Sequence, residues 1–145
     1  MKLSKNFTLE ELTKSNTATL KKIDNSPTPE IVETLKFLCE TVLQPIRDAW
    51  GAPIVVTCGY RCKKLNDSVG GANNSDHLYG AAADIRTKSD TREDNKKLFQ
   101  TILALKDLGK IKCRQIIDEY NYNWIHVGIN TEHNKYKNNQ VLHIK

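Results

Sequence analysis

Two histidines and one aspartate of this 145-residue chain are residue types that bind a catalytic metal ion. His77 and Asp84 lie within residues 75–85, and His126 follows within residues 124–127. Two imidazoles and one carboxylate occupy three positions around a tetrahedral zinc ion and leave the fourth open for water. The set therefore predicts a catalytic rather than a purely structural zinc site.

The spacing of His77 and Asp84 requires a bend in the chain. On one helix these residues would stand about 10 Å apart along the axis, which is too far for one ion with bonds of roughly 2.0–2.2 Å. Gly80 lies between them and tolerates the backbone angles that a sharp bend needs. We therefore expect a bend at Gly80 and a strand that begins near Asp84.

His126 lies in a segment with the alternation of a half-buried strand. Ile125, Val127 and Ile129 would face the core, and His126 would then point from the opposite face into a cleft. Each candidate ligand taken alone is more simply explained as a surface or structural residue. The prediction depends on the three residues together.

The segment around His77 resembles the M15 zinc peptidases, a family of D-Ala-D-Ala carboxypeptidases and related peptidoglycan endopeptidases. Their pattern Ser-x-His-x-x-Gly-x-Ala-x-Asp is matched by Ser75, His77, Gly80, Ala82 and Asp84. The sequence Trp-Ile-His-Val at 124–127 resembles the second histidine block of the family. Residues 59–61, 65–66 and 69–72 resemble the region before the first histidine, and residues 7–12 and 44–47 resemble the helical beginning of the short, phage-type branch.

This resemblance implies that Zn²⁺ is held by His77, Asp84 and His126 and that the substrate is a peptidoglycan stem peptide. Several members carry the catalytic glutamate three residues before the second histidine, where this chain has Asn123. The short branch instead implies Glu119 as general base, with Asp118 as the fallback. Strand alternation places these two carboxylates on opposite faces and leaves open which one faces the zinc ion.

Other residues of the matched segments have roles that the resemblance implies. Arg61 would stabilise the oxyanion of the transition state or bind a substrate carboxylate through its planar guanidinium. Ser75 and Asn66 would fix the loop or orient the substrate. Trp124 would form a wall of the cleft or pack against its neighbours, and we expect Asp76 to be exposed.

Length, charge and terminal sequence restrict the class of protein. We expect one domain over residues 1–145, acting as a monomer, with no transmembrane helix and no signal peptide. Such a wall-acting enzyme would be made in the cytoplasm and released by lysis or a holin-type pore, or carried in a virion. The net charge of +5 suits an anionic cell wall. No basic stripe is interleaved with aromatic residues, so nucleic-acid binding is not expected.

The four cysteines, Cys39, Cys58, Cys62 and Cys113, are expected to be free thiols. The spacing of Cys58 and Cys62 is poor for structural zinc. A second metal site would need an additional ligand such as His133 or His143.

The local patterns predict an α+β fold, a small and mainly antiparallel sheet with helices packed on one side, as in the DD-peptidase and hedgehog folds. Four helices are predicted. The first is capped by Thr8 and Glu11, and the second is long, from Pro29 to Gly51, with a kink at Pro45. The third is short, near 63–69, and the fourth is capped by Asp90 with Glu93 and ends at Gly109. Residues 15–26 are expected to form a loop with one helical turn. The predicted strands are 54–58, 84–85, 114–118, 124–130 and an edge strand at 140–144.

Two functional hypotheses follow. The first is a zinc peptidase, either a D,D-carboxypeptidase or an L-Ala-D-Glu endopeptidase, which the sequence does not separate. The alternative is a non-catalytic wall-binding or virion structural domain that keeps the fold and the metal. The displacement of the glutamate to position 119 is the feature that leaves this alternative open.

Overall fold

The computed structural model describes residues 1–132 and 140–145, and it has an α+β architecture. Two short helices at the N-terminus precede a long helical segment, and a five-stranded sheet follows, interrupted by two further helices. The helices are α1 (Leu9–Thr13), α2 (Asn16–Lys21), α3 (Pro29–Leu38), α4 (Gln44–Trp50), α5 (Lys63–Ser68) and α6 (Arg92–Asp107), and the strands are β1 (Ile54–Cys58), β2 (Ala82–Thr87), β3 (Gln115–Glu119), β4 (Trp124–Gly128) and β5 (Gln140–Ile144).

The sheet has the strand order β1-β2-β4-β3-β5. All neighbouring pairs are antiparallel except β3 and β5, which run parallel. The predicted mainly antiparallel sheet and its edge strand are therefore confirmed. Strand β4 lies at the centre, with β2 and β3 on either side, so residues from all three strands can meet above one face.

The other face of the sheet carries the hydrophobic core. Because successive side chains point to opposite faces of a strand, the apolar alternation of β2, β3 and β4 places one set of residues against the helices. Ile85, Ile116, Ile125 and Val127 are buried there with side chains from the long helical segment and from α6. Those helical residues are Leu35, Leu38, Val42, Ile46, Leu98, Phe99 and Ile102.

The long helical segment is irregular just before Pro45. A π-helical turn, Cys39–Leu43, separates α3 from α4, and the amide of Gln44 donates to the carbonyl of Cys39. Proline has no amide hydrogen to donate to the residue four positions earlier. The predicted kink therefore takes the form of a wider helical turn ahead of the proline.

The start of α6 differs from its prediction. The N-cap is Thr91, whose hydroxyl accepts from the amide of Asp94, and Asp90 lies one residue earlier with a φ of +54°. An N-cap residue has extended backbone angles, which Asp90 does not have, so the predicted cap of Asp90 with Glu93 is wrong.

The remaining helix ends agree with the sequence. Thr8 and Glu11 form the predicted capping box of α1, and Pro29 occupies the first turn of α3. Gly51 follows α4 with a φ of +74°. In the described ranges 1–132 and 140–145, no helix has the length and apolar composition needed to cross a membrane. His133, proposed above as an extra ligand, lies outside the described residues.

Candidate metal centre

The structure brings together the three predicted ligands, His77, Asp84 and His126. The Nδ1 atom of His126 lies 3.0 Å from Oδ1 of Asp84, and the Nε2 atom of His77 lies 3.4 Å from the same oxygen. The two imidazole rings meet edge to face with centroids 5.2 Å apart. Ligands of one tetrahedral ion with bonds of about 2.0–2.2 Å stand roughly 3.3–3.6 Å apart, so each imidazole stands from Asp84 at a distance close to that between two ligands of one zinc ion.

Strand pairing and a tight turn produce this convergence. Asp84 and His126 are direct partners in the antiparallel pair of β2 and β4, an arrangement that places their side chains side by side on one face. His77 enters from a 3₁₀ turn, Asp76–Tyr79, which Gly80 ends with a φ of +70°. The chain thus bends at Gly80, as the ligand spacing requires.

The ring of His77 is oriented by the backbone of a different segment. Its Nδ1 atom lies 2.7 Å from the carbonyl oxygen of Gly59, just after β1. A carbonyl oxygen can only accept, so Nδ1 carries the hydrogen and Nε2 is directed towards Asp84. Metal-binding histidines commonly donate their second ring N–H in this way, which fixes both the tautomer and the ring orientation.

Charges at the centre are strongly coupled in the metal-free protein. Burial on its own lowers the pKa of His77, but the charge of Asp84 and hydrogen bonds with Asp84 and Cys58 together outweigh it and raise this pKa to about 10. Burial raises the pKa of Asp84, yet the charges and hydrogen bonds of His77 and His126 hold it well below its usual range. A cation that binds here would therefore replace a proton.

Cys58 offers a second set of donors that overlaps with the first. Its sulfur lies 3.8 Å from Nδ1 of His77, and donor atoms of Cys58, His77 and Asp84 all lie within 4.8 Å of one another. Donor atoms of Asp84, Glu119 and His126 also lie within 4.8 Å of one another. Neither of these two sets contains both histidines, so the set of His77, Asp84 and His126 depends on the contact of each imidazole with Asp84.

The other cysteine of the pair has a different function. The sulfur of Cys62 caps α5 by accepting from the amide of Leu65 at 3.4 Å. His143 is paired with Asp118 at 3.0 Å. Neither Cys62 nor His143 belongs to a potential metal-binding group among the residues that the structure describes.

The two candidate carboxylates of β3 point to opposite faces. Glu119 lines the cleft beside the candidate ligands, and its Oε2 accepts from the indole N–H of Trp124 at 2.8 Å. Asp118 is buried on the other face, where it accepts from the amide of Tyr122 at 2.6 Å. Of the two candidate bases, Glu119 lines the cleft and the fallback Asp118 does not.

Arg61, Ser75 and Asn66 form the loop side of the site. Arg61 lines the cleft and donates to the hydroxyl of Ser75 at 3.3 Å, and that hydroxyl also accepts from the amide of His77. Asn66 is fully buried and donates to the carbonyl of Ala72 at 2.9 Å. The Cα of Gly71 packs so closely on Asn66 that a Cβ there would collide with its side chain. Asn66 therefore lies beneath the loop and is not among the residues that line the cleft.

A buried ion pair at the rim of the cleft had no signal in the sequence. Asp76 is only 5% exposed, and its Oδ2 accepts from Nε and Nη2 of Arg114 at 2.9 and 2.8 Å. The expectation that Asp76 would be exposed is wrong, because the 3₁₀ turn directs its side chain towards the beginning of β3. No local pattern links these two residues, which are distant in the sequence.

The cleft above these groups has a volume of about 500 Å³, within the range of small-ligand sites. Its wall contains both cations and carboxylates, together with the exposed aromatic ring of Tyr120, which lies 5.1 Å from that of Trp124. The charged lining residues are Arg61, Asp76, Asp84, Arg114 and Glu119. Such a lining is suited to a polar, charged ligand.

Comparisons with known proteins agree with this geometry. A 44-residue stretch is 52% identical to the zinc D-Ala-D-Ala carboxypeptidase of Streptomyces albus G. The stretch covers 30% of this chain and 17% of that relative. A family model described as peptidase M15 matches residues 5–128, most of the chain. Since this match includes every candidate ligand and both candidate bases, the chain belongs to the peptidase M15 family.

Proposed function

We propose that this protein is a zinc-dependent peptidase that hydrolyses peptidoglycan stem peptides. The observation that carries this proposal is that His77 and His126 both contact Oδ1 of Asp84 in a cleft that the carboxylate of Glu119 also lines. The name of the Streptomyces relative supports both the metal and the substrate class, although the alignment covers a small part of that protein.

The donor set fits zinc in its chemistry as well as its spacing. Imidazole nitrogens and one carboxylate oxygen are common ligands of catalytic zinc. When bound by Nε2 of His77, Asp84 and Nδ1 of His126, a zinc ion supplies Lewis-acid polarisation of the scissile carbonyl and lowers the pKa of water. The surrounding residues must then bind the peptide, orient it and move a proton.

Glu119 is our candidate for proton transfer. It lies at the end of β3, and its carboxylate is held by the Trp124 indole at 2.8 Å, close to the donor atoms of Asp84 and His126. A carboxylate there can accept a proton from the attacking water and deliver it to the leaving amine. Trp124 would keep the carboxylate aimed at the reacting atoms.

Arg61 is our candidate for binding the negative charge of the substrate. The second arginine of the cleft, Arg114, is neutralised by its ion pair with Asp76. Arg61 lines the cleft, and its Nη2 donates to the hydroxyl of Ser75 at 3.3 Å. A guanidinium at this position can bind a stem-peptide carboxylate.

The same centre could cleave either of two bonds. A D,D-carboxypeptidase would release free D-Ala, whereas an L-Ala-D-Glu endopeptidase would leave a new D-Glu amino terminus. The short, phage-type resemblance favours the endopeptidase and release to the wall by lysis, a holin-type pore or a virion. Mass analysis of the products would distinguish the two activities.

The test is digestion of purified peptidoglycan by zinc-loaded and chelated protein, together with the variant Glu119→Gln. Glutamine keeps an acceptor for Trp124 but cannot take a proton, so we expect the rate to fall by about 10²- to 10⁴-fold with one zinc ion still bound per chain. Glu33→Gln on the exposed surface of α3 is the matched control and should be fully active.

Other outcomes would change the assignment. If Glu119→Gln loses zinc as well as activity, Glu119 is a ligand and not the base. If zinc-loaded wild-type protein binds walls of several chemotypes without releasing any fragment, the protein is a non-catalytic wall-binding or virion structural domain.

A further inference from the structure

The turn between β3 and β4 has an unusual backbone. Tyr120, Asn121 and Tyr122 all have left-handed conformations, with φ values of +53°, +56° and +62°. Residues with a Cβ seldom adopt this region, and consecutive ones are rarer still. None of the three is glycine. The turn must therefore be imposed by contacts with the rest of the protein.

This turn connects two residues of the candidate site. Glu119 precedes it and Trp124 follows it, and the two are direct partners across β3 and β4. The indole of Trp124 donates to Glu119 at 2.8 Å. A relaxed turn would change the register at the end of the hairpin, and it would move the Glu119 carboxylate away from Asp84 and His126.

Side chains outside the turn hold it in place. The carboxylate of Asp118 accepts from the amide of Tyr122 at 2.6 Å, and Arg92 donates to the carbonyl of Asn121 at 3.1 Å. Asn95 donates to the carbonyl of Tyr122 at 2.9 Å and lies 3.5 Å from that of Asn123. Both Arg92 and Asn95 belong to the first turns of α6.

Asn95 also binds the strand that carries Asp84. Its Oδ1 accepts from the amide of Thr87 at 3.0 Å and from the hydroxyl of Thr87 at 2.7 Å, at the end of β2. The Asn95 side chain is almost completely buried, with the residue only 1% exposed. The side-chain amide of Asn95 thus connects the end of β2, the strand that carries Asp84, to the turn that follows Glu119. Water cannot readily replace these bonds at a buried site.

We propose that Asn95 is a positioning residue, which fixes the Glu119 carboxylate relative to the ligand Asp84 by holding the left-handed turn. The inference depends on the proposed function for its catalytic consequence. Asn95 does not touch the cleft, so it should affect proton transfer and not the binding of substrate or metal.

The test is Asn95→Asp, which keeps the oxygen that accepts from Thr87 but removes the amide donor to the turn and to Asp90. We expect kcat to fall by tenfold or more, with KM within about twofold of wild type and one zinc ion still bound. The emission of Trp124, measured in a Trp50→Phe background, should change because its contact with Glu119 is altered. Gln100→Glu makes the same amide-to-carboxylate change on the exposed side of α6 and should alter neither quantity.

A second pair of variants avoids changes in the core. Arg92→Met removes one bond to the turn from an exposed residue, whereas Lys97→Met removes the same charge from an exposed residue of the same helix. Only Arg92→Met should lower kcat. Adding Asn121→Gly to Asn95→Asp should restore part of kcat, because glycine adopts the left-handed region without strain.

The outcomes separate this inference from the proposed function. If kcat and Trp124 emission are unchanged in Asn95→Asp, or if emission changes without any loss of kcat, the positioning role is overturned. If Asn95→Asp fails to fold, equal kcat values in Arg92→Met and Lys97→Met overturn it instead. If wild-type protein is inactive, the proposed function is refuted, and the catalytic role of Asn95 is refuted with it. The fluorescence emission of Trp124 would still show whether Asn95 holds the turn.

Discussion

His77 is held at both ring nitrogens, by a backbone carbonyl on one side and by a carboxylate on the other. Gly59 accepts from Nδ1, and Asp84 lies beside Nε2. In the metal-free protein, the net effect of the Asp84 charge against burial raises the pKa of His77 to about 10. The metal-free centre is therefore an imidazolium paired with a carboxylate at neutral pH.

This pairing predicts the pH dependence of zinc binding. Zinc must displace the proton of His77, so zinc affinity should rise about tenfold per pH unit between about pH 6 and 8. Competition with a chromophoric chelator at three pH values would measure the slope. An affinity independent of pH in this range would show that His77 is already neutral.

The same shifts set the pH dependence of stability without metal. The pKa of His77 is raised from about 6.5 in the unfolded chain, so its contribution is complete below that pH and is lost as the pH rises through about 10. The pKa of Asp84 is lowered, so its contribution is present above about pH 4 and is lost at lower pH. Urea unfolding of chelated protein should therefore show weakening at both extremes.

The chain at the end of β1 packs closely against α1. The amide of Tyr60 donates to the carbonyl of Leu12 at 2.7 Å, and a Cβ on Gly59 would collide with that same carbonyl. Gly59 in turn provides the carbonyl that orients His77. Helix α1 thus fixes the backbone on which the metal centre depends.

This contact predicts different results for two glycine-to-alanine substitutions. Gly59→Ala should separate α1 from β1, lower the free energy of unfolding by about 1–3 kcal/mol and weaken zinc binding by about 10-fold or more. Gly51→Ala, with a φ of +74° but open space around the new methyl group, should cost about 1–2 kcal/mol without any change in zinc affinity. Equal zinc affinities for both variants would argue against this role of α1.

Side chains from the helices and from the sheet pack into one hydrophobic core. Two cysteines of this core lie in different elements. Cys39 lies in the π-helical turn, and Cys113 lies just before β3. Both are completely buried, and burial raises the pKa of each thiol to about 12. Neither should react with a thiol reagent while the protein is folded.

Pulsed thiol labelling in urea would test whether the chain is a single cooperative domain. Cys39 and Cys113 should become reactive at the same urea concentration, because unfolding of a shared core exposes both. The half-buried Cys58 and Cys62 should react at lower concentrations and serve as internal controls. Separate midpoints for Cys39 and Cys113 would indicate two independently unfolding units.

Features that depend on nearby residues could be predicted from local sequence patterns. Residue spacing required a bend between His77 and Asp84, and strand alternation placed His126 opposite the apolar residues of β4. Thr8 and Glu11 indicated the start of α1 because a capping box is formed within one helical turn. The resemblance of residues 75–84 to the M15 pattern identified the family before any contact was known.

Contacts between residues far apart in the sequence depended on how the strands and helices pack. Alternation assigned Asp118 and Glu119 to opposite faces, but the pairing of β3 with β4 determined which face carries the ligands. The burial of Asp76 against Arg114, and the connection of β2 to the β3–β4 turn through Asn95, also join segments far apart in the sequence. Their physical reason is the same: a buried polar group must find a partner, and the packing of strands and helices determines which partner is within reach.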